Sequence, residues 1–347
     1  MDTSYLHQEI QEQPTVLQTV LAQEMAAVQA LAARLQQRAP RYIVLAARGS
    51  SDNAARYGQY LFGAYNGITA ALATPSLFTL YQRPPTLEDA LIIGISQSGQ
   101  SPDIVSVLVE GQHQGALTVA ITNVADSPLA QVGQYTLSLH TGPERSVAAT
   151  KTYTSSLMVL AMLSAAWAGD AERLAALQQV PIWAATVLEE FPRIRHIAER
   201  YRYMEACVVM GRGFNYATAF EIALKLKELT YIMAEPYSSA DFQHGPVAIV
   251  EQGFPVLAVL PEGATAPDML AFLTSLQARA PELLMISPLR EALTLAQTPL
   301  PLPPDIPEWL SPLVTVLPGQ LFALGLTLAK GYDPDHPRGL RKVTLTH

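Results

Sequence analysis

The sequence predicts an α/β protein: two flavodoxin-like domains, each a parallel sheet sandwiched by helices. Three observations carry this. Short apolar runs alternate with helical patterns, the signature of βαβ units. That alternation is traversed twice. Two short motifs also recur at nearly one spacing: Arg48-Gly49 returns as Arg212-Gly213, 164 residues on, and Pro102-Asp103-Ile104 as Pro267-Asp268-Met269, 165 residues on. Such recurrence marks an internal duplication, against chance similarity of short motifs.

The elements follow in order. Residues 1–38 read as a helical segment, with apolar residues at helical spacing through Leu17, Val20, Leu21, Met25, Val28, Leu31 and Leu35, and Pro14 near its start. The first domain spans 39–175. It opens on a buried strand, Tyr42 to Ala46, which ends at Arg48-Gly49-Ser50-Ser51 before a helix from Asp52. A strand at Ala90 to Ile95, a helix from Pro102, a strand at Leu117 to Thr122 and helical material after Asp126 complete it. The second domain spans 190–330. Val208 to Gly213 leads into a helix over Ala217 to Leu229, and a strand at Pro255 to Leu260 follows. The proline-rich stretch Thr298 to Pro312 reads as an extended surface passage. A last helix, Gly319 to Lys330, precedes a tail over 331–347, where the alternating Val343-Thr344-Leu345-Thr346 reads as ordered.

Composition narrows the function. The 347 residues suffice for two substantial cores. Hydrophobic residues make up 49% and charged residues 15%, which points to a large core plus a buried subunit interface. A net charge of −8 argues against nucleic acid as a partner. Cys207 is the single cysteine, so no intrachain disulfide forms, and its apolar setting predicts a buried thiol. Asp2, Glu9 and Glu12 argue against a secretory signal, and Leu157 to Ala168, read as the most apolar long segment, is too short to span a bilayer. The expected compartment is the cytoplasm, with no membrane partner.

The most informative stretch is Ile93 to Ile104. The apolar run stops at Ser96, and Gln97, Ser98, Gly99, Gln100 and Ser101 precede Pro102 and a helical pattern. Strand, tight loop and helix N-terminus would converge hydroxyls and free N–H groups on an anion. Pro102 suits the first turn, where no N–H partner is needed. With no lysine and no Walker pattern, a phosphomonoester fits better than a nucleoside triphosphate; the plain alternative is a serine-rich turn. In the second copy Pro261 and Glu262 replace this loop, so the first copy is expected to hold the anion and the second to supply other groups.

Lys225, Lys227 and Glu228 lie on one helix, with Lys225 and Glu228 sharing a face and Glu221 one turn earlier. A solvated salt-bridging face is the ordinary reading. The flanking Ala223, Leu224, Leu226 and Leu229 suggest instead that part of this charge points inward, where a carboxylate beside a lysine can serve as a base. His244 stands before Gly245-Pro246, a turn that would fix its ring, although a lone histidine more often serves structure. Lys342 sits in a terminal segment that is ordinarily solvent-exposed. No histidine–carboxylate spacing suggests a metal, and no cofactor is implied.

Seven stretches, in order, resemble the sugar isomerase (SIS) family, and within it the isomerase half of the glutamine–fructose-6-phosphate amidotransferases. They are Glu9-Ile10 with Glu12-Gln13-Pro14, Ser96-Gln97-Ser98-Gly99, Ala149-Thr150-Lys151, Gly211-Arg212-Gly213, Ala223-Leu224-Lys225-Leu226-Lys227-Glu228, His244-Gly245-Pro246 and Pro337-Arg338-Gly339-Leu340. The resemblance implies a phosphate pocket of Ser96, Gln97, Ser98 and Ser101, with sugar contacts at Ser51, Val147 and Ala149. It implies Glu228 as the base shuttling a proton between C1 and C2, and Lys225 as its positioner or an enolate stabiliser. It further implies His244, from a neighbouring subunit, as the ring-opening group. A tail over the active site would bring Lys342 to the open-chain carbonyl, as a Schiff base in one version.

Departures from the family pattern shape the expected activity. The chain begins Met1-Asp2-Thr3 with no room for a glutaminase domain, so it is expected not to draw ammonia from glutamine. Arg48 stands where the family has cysteine, Ala149 where it has serine, and Gln243 where lysine is common. The resulting expectation is an aminosugar-phosphate deaminase/isomerase, a homodimer with a shared active site, converting glucosamine 6-phosphate to fructose 6-phosphate and ammonia. A deglycase or isomerase on another keto- or aminohexose 6-phosphate, and a non-catalytic sugar-phosphate sensor, are the alternatives.

Overall fold

The computed structural model describes residues 4–342. They form two compact units that interleave along the chain: residues 12–144, 149–181 and 341–342 make the first, and residues 4–11, 145–148 and 182–340 the second.

The first unit carries five parallel strands: β1 (Tyr42–Ala46), β2 (Ala70–Leu72), β3 (Ala90–Ser96), β4 (Leu117–Thr122) and β5 (Tyr135–Ser138), in the order β2-β1-β3-β4-β5. Every residue of β3 and β4 is buried, as continuous apolar runs require when helices cover both faces. The Pro102–His113 helix sends Ile104, Val107 and Leu108 into a core with Val44, Ile92 and Ala120. The Gly49–Asn66 helix packs against the Lys151–Ala168 helix, whose residues from Lys151 to Ala165 are all buried.

The second unit carries β6 (Ala206–Gly211), β7 (Met233–Ser238), β8 (Pro255–Val259), β9 (Glu282–Ser287) and β10 (Thr298–Pro301), in the order β10-β9-β8-β6-β7 and again all parallel. Counted from its own first strand, each sheet runs 2-1-3-4-5, so the duplication read from the motifs is a duplication of topology.

The recurring motifs turn out to be one device used twice. Arg48 Nε meets Asp103 Oδ2 at 2.8 Å, and Arg212 Nη1 meets Asp268 Oδ2 in the second unit. Arg48 (φ −139°, ψ 155°) and Arg212 (φ −143°, ψ 155°) share one backbone conformation. Each is followed by a left-handed glycine, Gly49 (φ 54°) or Gly213 (φ 59°), a turn that favours glycine for want of a Cβ. The pair braces the end of a unit's first strand against the helix after its third.

Several elements differ from expectation. The last helix runs Ser311–Ala329, not from Gly319. Pro312 falls in its first turn, where no N–H is required, and Pro318 is carried inside. The Thr298–Pro312 stretch is not simply a surface passage, because it contains β10, with Leu300 only 1% exposed. Pro14 lies within the Tyr5–Arg38 helix, well past its first turn. Among the described residues, two helices, Tyr5–Arg38 and Ser311–Ala329, are long and apolar enough to cross a bilayer by length and composition. In Ser311–Ala329, 89% of the apolar window is buried, and the helix packs against the Phe191–Arg200 and Tyr216–Thr230 helices as the core of its unit. Val343 to Thr346 lie outside the described residues.

Candidate active site

In the first unit, the 2-1-3-4-5 order places a topological switch point between β1 and β3, and ligands of open α/β sheets bind beyond the carboxyl ends of strands at such a point. Ser51, half-buried in the first turn of the Gly49–Asn66 helix, follows β1. Ser96 closes β3, and Gln97, Ser98 and Ser101 lead into the Pro102–His113 helix. Gly99 N–H donates to Ser96 Oγ at 3.1 Å and Gln100 N–H to Ser98 Oγ at 3.3 Å, so each hydroxyl accepts within the loop and keeps its proton to donate outward. Ser101 occupies the N-cap position, yet its side chain makes no cap bond.

Neighbouring elements pin the loop from below. Asn123 N–H donates to Gln97 O at 3.2 Å, and Leu129 N–H to Gly99 O at 3.1 Å. Gly99 has φ 63°, and a Cβ there would lie 2.1 Å from Ser127 Oγ. Asp103, in the helix's first turn, is fully buried and would oppose an anion at this N-terminus. Arg48, which stands where the family has cysteine, pairs with it at 2.8 Å, so this cation is committed to Asp103.

The loop that closes the first unit's sheet carries a buried acid. Glu144 accepts from Thr150 N–H at 3.0 Å, Thr152 N–H at 3.1 Å and Thr152 Oγ1 at 2.8 Å, and Lys342 Nζ lies 2.6 Å from its Oε2. Burial pushes the Glu144 carboxyl up, but the Lys342 ammonium and the Thr150 and Thr152 amides outweigh it and hold the acid below its ordinary range. Ala149 follows on this loop, half-buried. Val147 lies in the segment that counts with the second unit, where Glu9 accepts from the Ser146 N–H at 3.2 Å.

In the second unit, the Tyr216–Thr230 helix carries a buried row of charge. Lys225 is 1% exposed, with Glu221 Oε1 at 3.4 Å one turn before and Glu228 Oε2 at 2.6 Å one turn after. Glu221 is fully buried, while Glu228 is 23% exposed and can meet a ligand. Its contact with Lys225 is an ion contact outside hydrogen-bond alignment. Lys225 thus sits between two carboxylates, one sealed and one open. His244 caps the Ser239–Gln243 helix; its N–H donates to Asp241 O at 3.1 Å and its ring is exposed.

Each unit therefore gathers its own part of the expected set: Ser51, Ser96, Gln97, Ser98, Ser101, Ala149 and Lys342 in the first, Val147, Lys225, Glu228 and His244 in the second. Sequence reasoning missed Glu144, for which the only available signal was an acid shortly before the apolar Lys151–Ala168 helix. Among the described residues, no group of three or more histidine, cysteine, aspartate or glutamate side chains is placed to hold a metal ion.

The SIS domain family model matches residues 38–166 and 205–329. The glutamine–fructose-6-phosphate aminotransferase (isomerizing) of Thermococcus kodakarensis is 34% identical over 97% of this chain and 57% of that protein. The chain thus spans about half the length of the curated relatives it matches. The C-terminal domain of glucosamine-fructose-6-phosphate aminotransferase from Francisella tularensis superposes with a TM-score of 0.90 at 27% identity, covering 97% of this chain and 99% of that one. Glucosamine-6-phosphate deaminase from Thermotoga maritima shares the fold, with a TM-score of 0.77 at 20% identity over 99% and 100% of the two chains. With both duplicated halves matched, this chain belongs to the SIS domain family, and it is similar over nearly its whole length to the C-terminal domain of such an aminotransferase.

Proposed function

We propose that this chain is an aminosugar-phosphate deaminase/isomerase that takes glucosamine 6-phosphate to fructose 6-phosphate and ammonia without glutamine, working in the cytoplasm as a homodimer with shared active sites. The observation that carries the reading is the row Glu221-Lys225-Glu228, a buried ammonium beside one partly open carboxylate in an SIS-domain fold. A sensor of sugar phosphates has no need of such a row.

The phosphate is gripped by the hydroxyls of Ser96, Ser98 and Ser101 with Gln97, and the sugar lies along Ser51, Val147 and Ala149. His244 assists ring opening to the aldehyde. Glu228 takes the C2 proton, giving an enolamine, and returns a proton to C1. The resulting C2 imine adds water and loses ammonia, leaving the ketose, so glucosamine 6-phosphate and water balance fructose 6-phosphate and ammonia. Lys225 holds Glu228 in place and offsets negative charge as the proton leaves carbon. Lys342, ion-paired with Glu144, offers a positive charge to the carbonyl oxygen; a Schiff base would require it to leave that carboxylate and shed a proton. Cys207 is buried and its thiol is pushed up to about 12, so the sequence's one cysteine is no nucleophile for glutamine hydrolysis.

The test follows ammonia and ketose 6-phosphate together across a panel of aminohexose and ketohexose 6-phosphates. Equal amounts of both products from glucosamine 6-phosphate support the proposal. Turnover of a different hexose 6-phosphate without ammonia would make the chain a plain isomerase, and binding without any turnover would make it a sensor.

A further inference from the structure

The first unit's phosphate loop has a counterpart in the second unit, and that counterpart is filled from within. Residues 260–265 follow β8 and open the Ala266–Leu276 helix. This is the position that residues 97–101 take after β3, since each loop follows the third strand of a 2-1-3-4-5 sheet. Three donors converge there on one carboxylate. Ala264 N–H donates to Glu308 Oε2 at 2.7 Å, Thr265 N–H to Oε1 at 3.3 Å, and Thr265 Oγ1 to Oε1 at 2.8 Å. Gly263 has φ 151°, and a Cβ there would lie 2.3 Å from the same carboxylate, so the backbone closes on it as only glycine allows. Glu262 is exposed and makes none of these bonds.

Two amides and a hydroxyl at a helix N-terminus form an oxyanion cradle. The Arg212–Asp268 brace beside this one matches the Arg48–Asp103 brace beside the phosphate loop. The occupant also has a counterpart. Glu308 lies between the fifth strand of its sheet and the Ser311–Ala329 helix, and Glu144 lies in that place in the first sheet, 164 residues earlier. Glu144 turns instead to Thr150, Thr152 and Lys342. One acid thus fills its unit's cradle, and the other leaves its cradle open.

We infer that Glu308 is a built-in oxyanion: it occupies the second copy's version of the phosphate cradle, confines substrate phosphate to the first copy, and masks a second site for a small oxyanion such as phosphate or acetate. The comparison rests on reading the Ser96–Ser101 loop as a phosphate site, but the donors around Glu308 stand without it.

The experiment titrates inorganic phosphate, then acetate, into the full-length chain by calorimetry in a Ser96→Ala/Ser98→Ala background, with and without Glu308→Ala. The parent is expected to take up no phosphate and the Glu308→Ala form one per chain, with acetate competing for the same site. Equal uptake by the two forms overturns the inference. Should Glu308→Ala not fold, Glu308→Gln carries the test through hydrogen exchange at the Ala264 and Thr265 amides. Exchange is expected to quicken about tenfold as the charged acceptor is lost, and unchanged exchange overturns the inference. If the Ser96→Ala/Ser98→Ala parent binds phosphate as tightly as the native chain, the reading of the first loop fails, while the difference made by Glu308→Ala still decides the inference.

Discussion

Glu228 is where a single residue bears most on the proposed chemistry. It is the one member of its row open to solvent, and Lys225 fixes its carboxylate at 2.6 Å. Glu228→Gln keeps the shape and removes the base, so kcat is expected to fall by about 10²–10⁴-fold. Affinity for inorganic phosphate, measured by calorimetry, should stay unchanged, because the Ser96–Ser101 loop is left intact; a variant with near-native turnover would remove Glu228 from the role. Glu144 gives a pH prediction. Its pKa in the folded chain lies below the ordinary 4.5, so its stabilising contribution is complete above that value and is lost as pH falls through the lower folded value. Glu144→Gln should cost about 3 kcal/mol at neutral pH by leaving Lys342 without its charge partner, and the gap in Tm from the native chain should close as pH drops below about 4.5. A gap independent of pH would show that the ion pair is not what stabilises the loop. The inward charge of the Tyr216–Thr230 helix was legible in the sequence, since Lys225 and Glu228 interrupt an apolar run at helical spacing. The Glu144–Lys342 pair was not, because its members lie 198 residues apart and only the folded chain brings them together.

At the scale of elements, the strand–loop–helix unit at Ser96 depends on one glycine and one brace. Gly99→Ala forces a left-handed alanine against Ser127, a strain of roughly 1–2 kcal/mol before any clash is relieved. The loop must shift off Asn123 and Leu129, and phosphate affinity by calorimetry should drop by about tenfold or more, with the far-ultraviolet dichroism of the fold retained. The Arg48–Asp103 brace makes a complementary prediction. Arg48→Met strands a fully buried carboxylate at a helix N-terminus, expected to cost up to about 3 kcal/mol in chemical denaturation, less where water reaches the gap. Adding Asp103→Asn should recover most of that loss, because an amide needs no counter-charge; no recovery would mean that Arg48 acts through packing alone. The Ser96 unit was visible in sequence because an apolar run ends abruptly in small polar residues followed by Pro102. The start of the Ser311–Ala329 helix was hidden for the opposite reason. Its Pro312 and Pro318 resemble breakers, yet one sits where no donor is needed and the other is sustained by the packed core around it.

At the scale of the whole molecule, two recurring motifs foretold the duplication, and the repeated 2-1-3-4-5 order with its repeated arginine–aspartate brace gives it a physical basis. What the motifs could not convey is how far the copies have diverged, because divergence resides in partners: hydroxyls free to donate in one cradle, Glu308 seated in the other. The proposed homodimer makes the last prediction. His244 is exposed at the end of a short helix, while Lys225 and Glu228 are fixed within a long one. If His244 serves the partner's site, a chain with Glu228→Gln and a chain with His244→Ala should complement each other. In a mixed dimer one site then carries both lesions and the other carries neither. After unfolding and remixing in equal amounts, about half of the dimers are mixed and about a quarter of all sites are intact, so ammonia release should rise from near zero for either variant alone to about a quarter of the native rate. Sites built within one protomer would each keep a lesion, and the mixture would stay as inactive as its components.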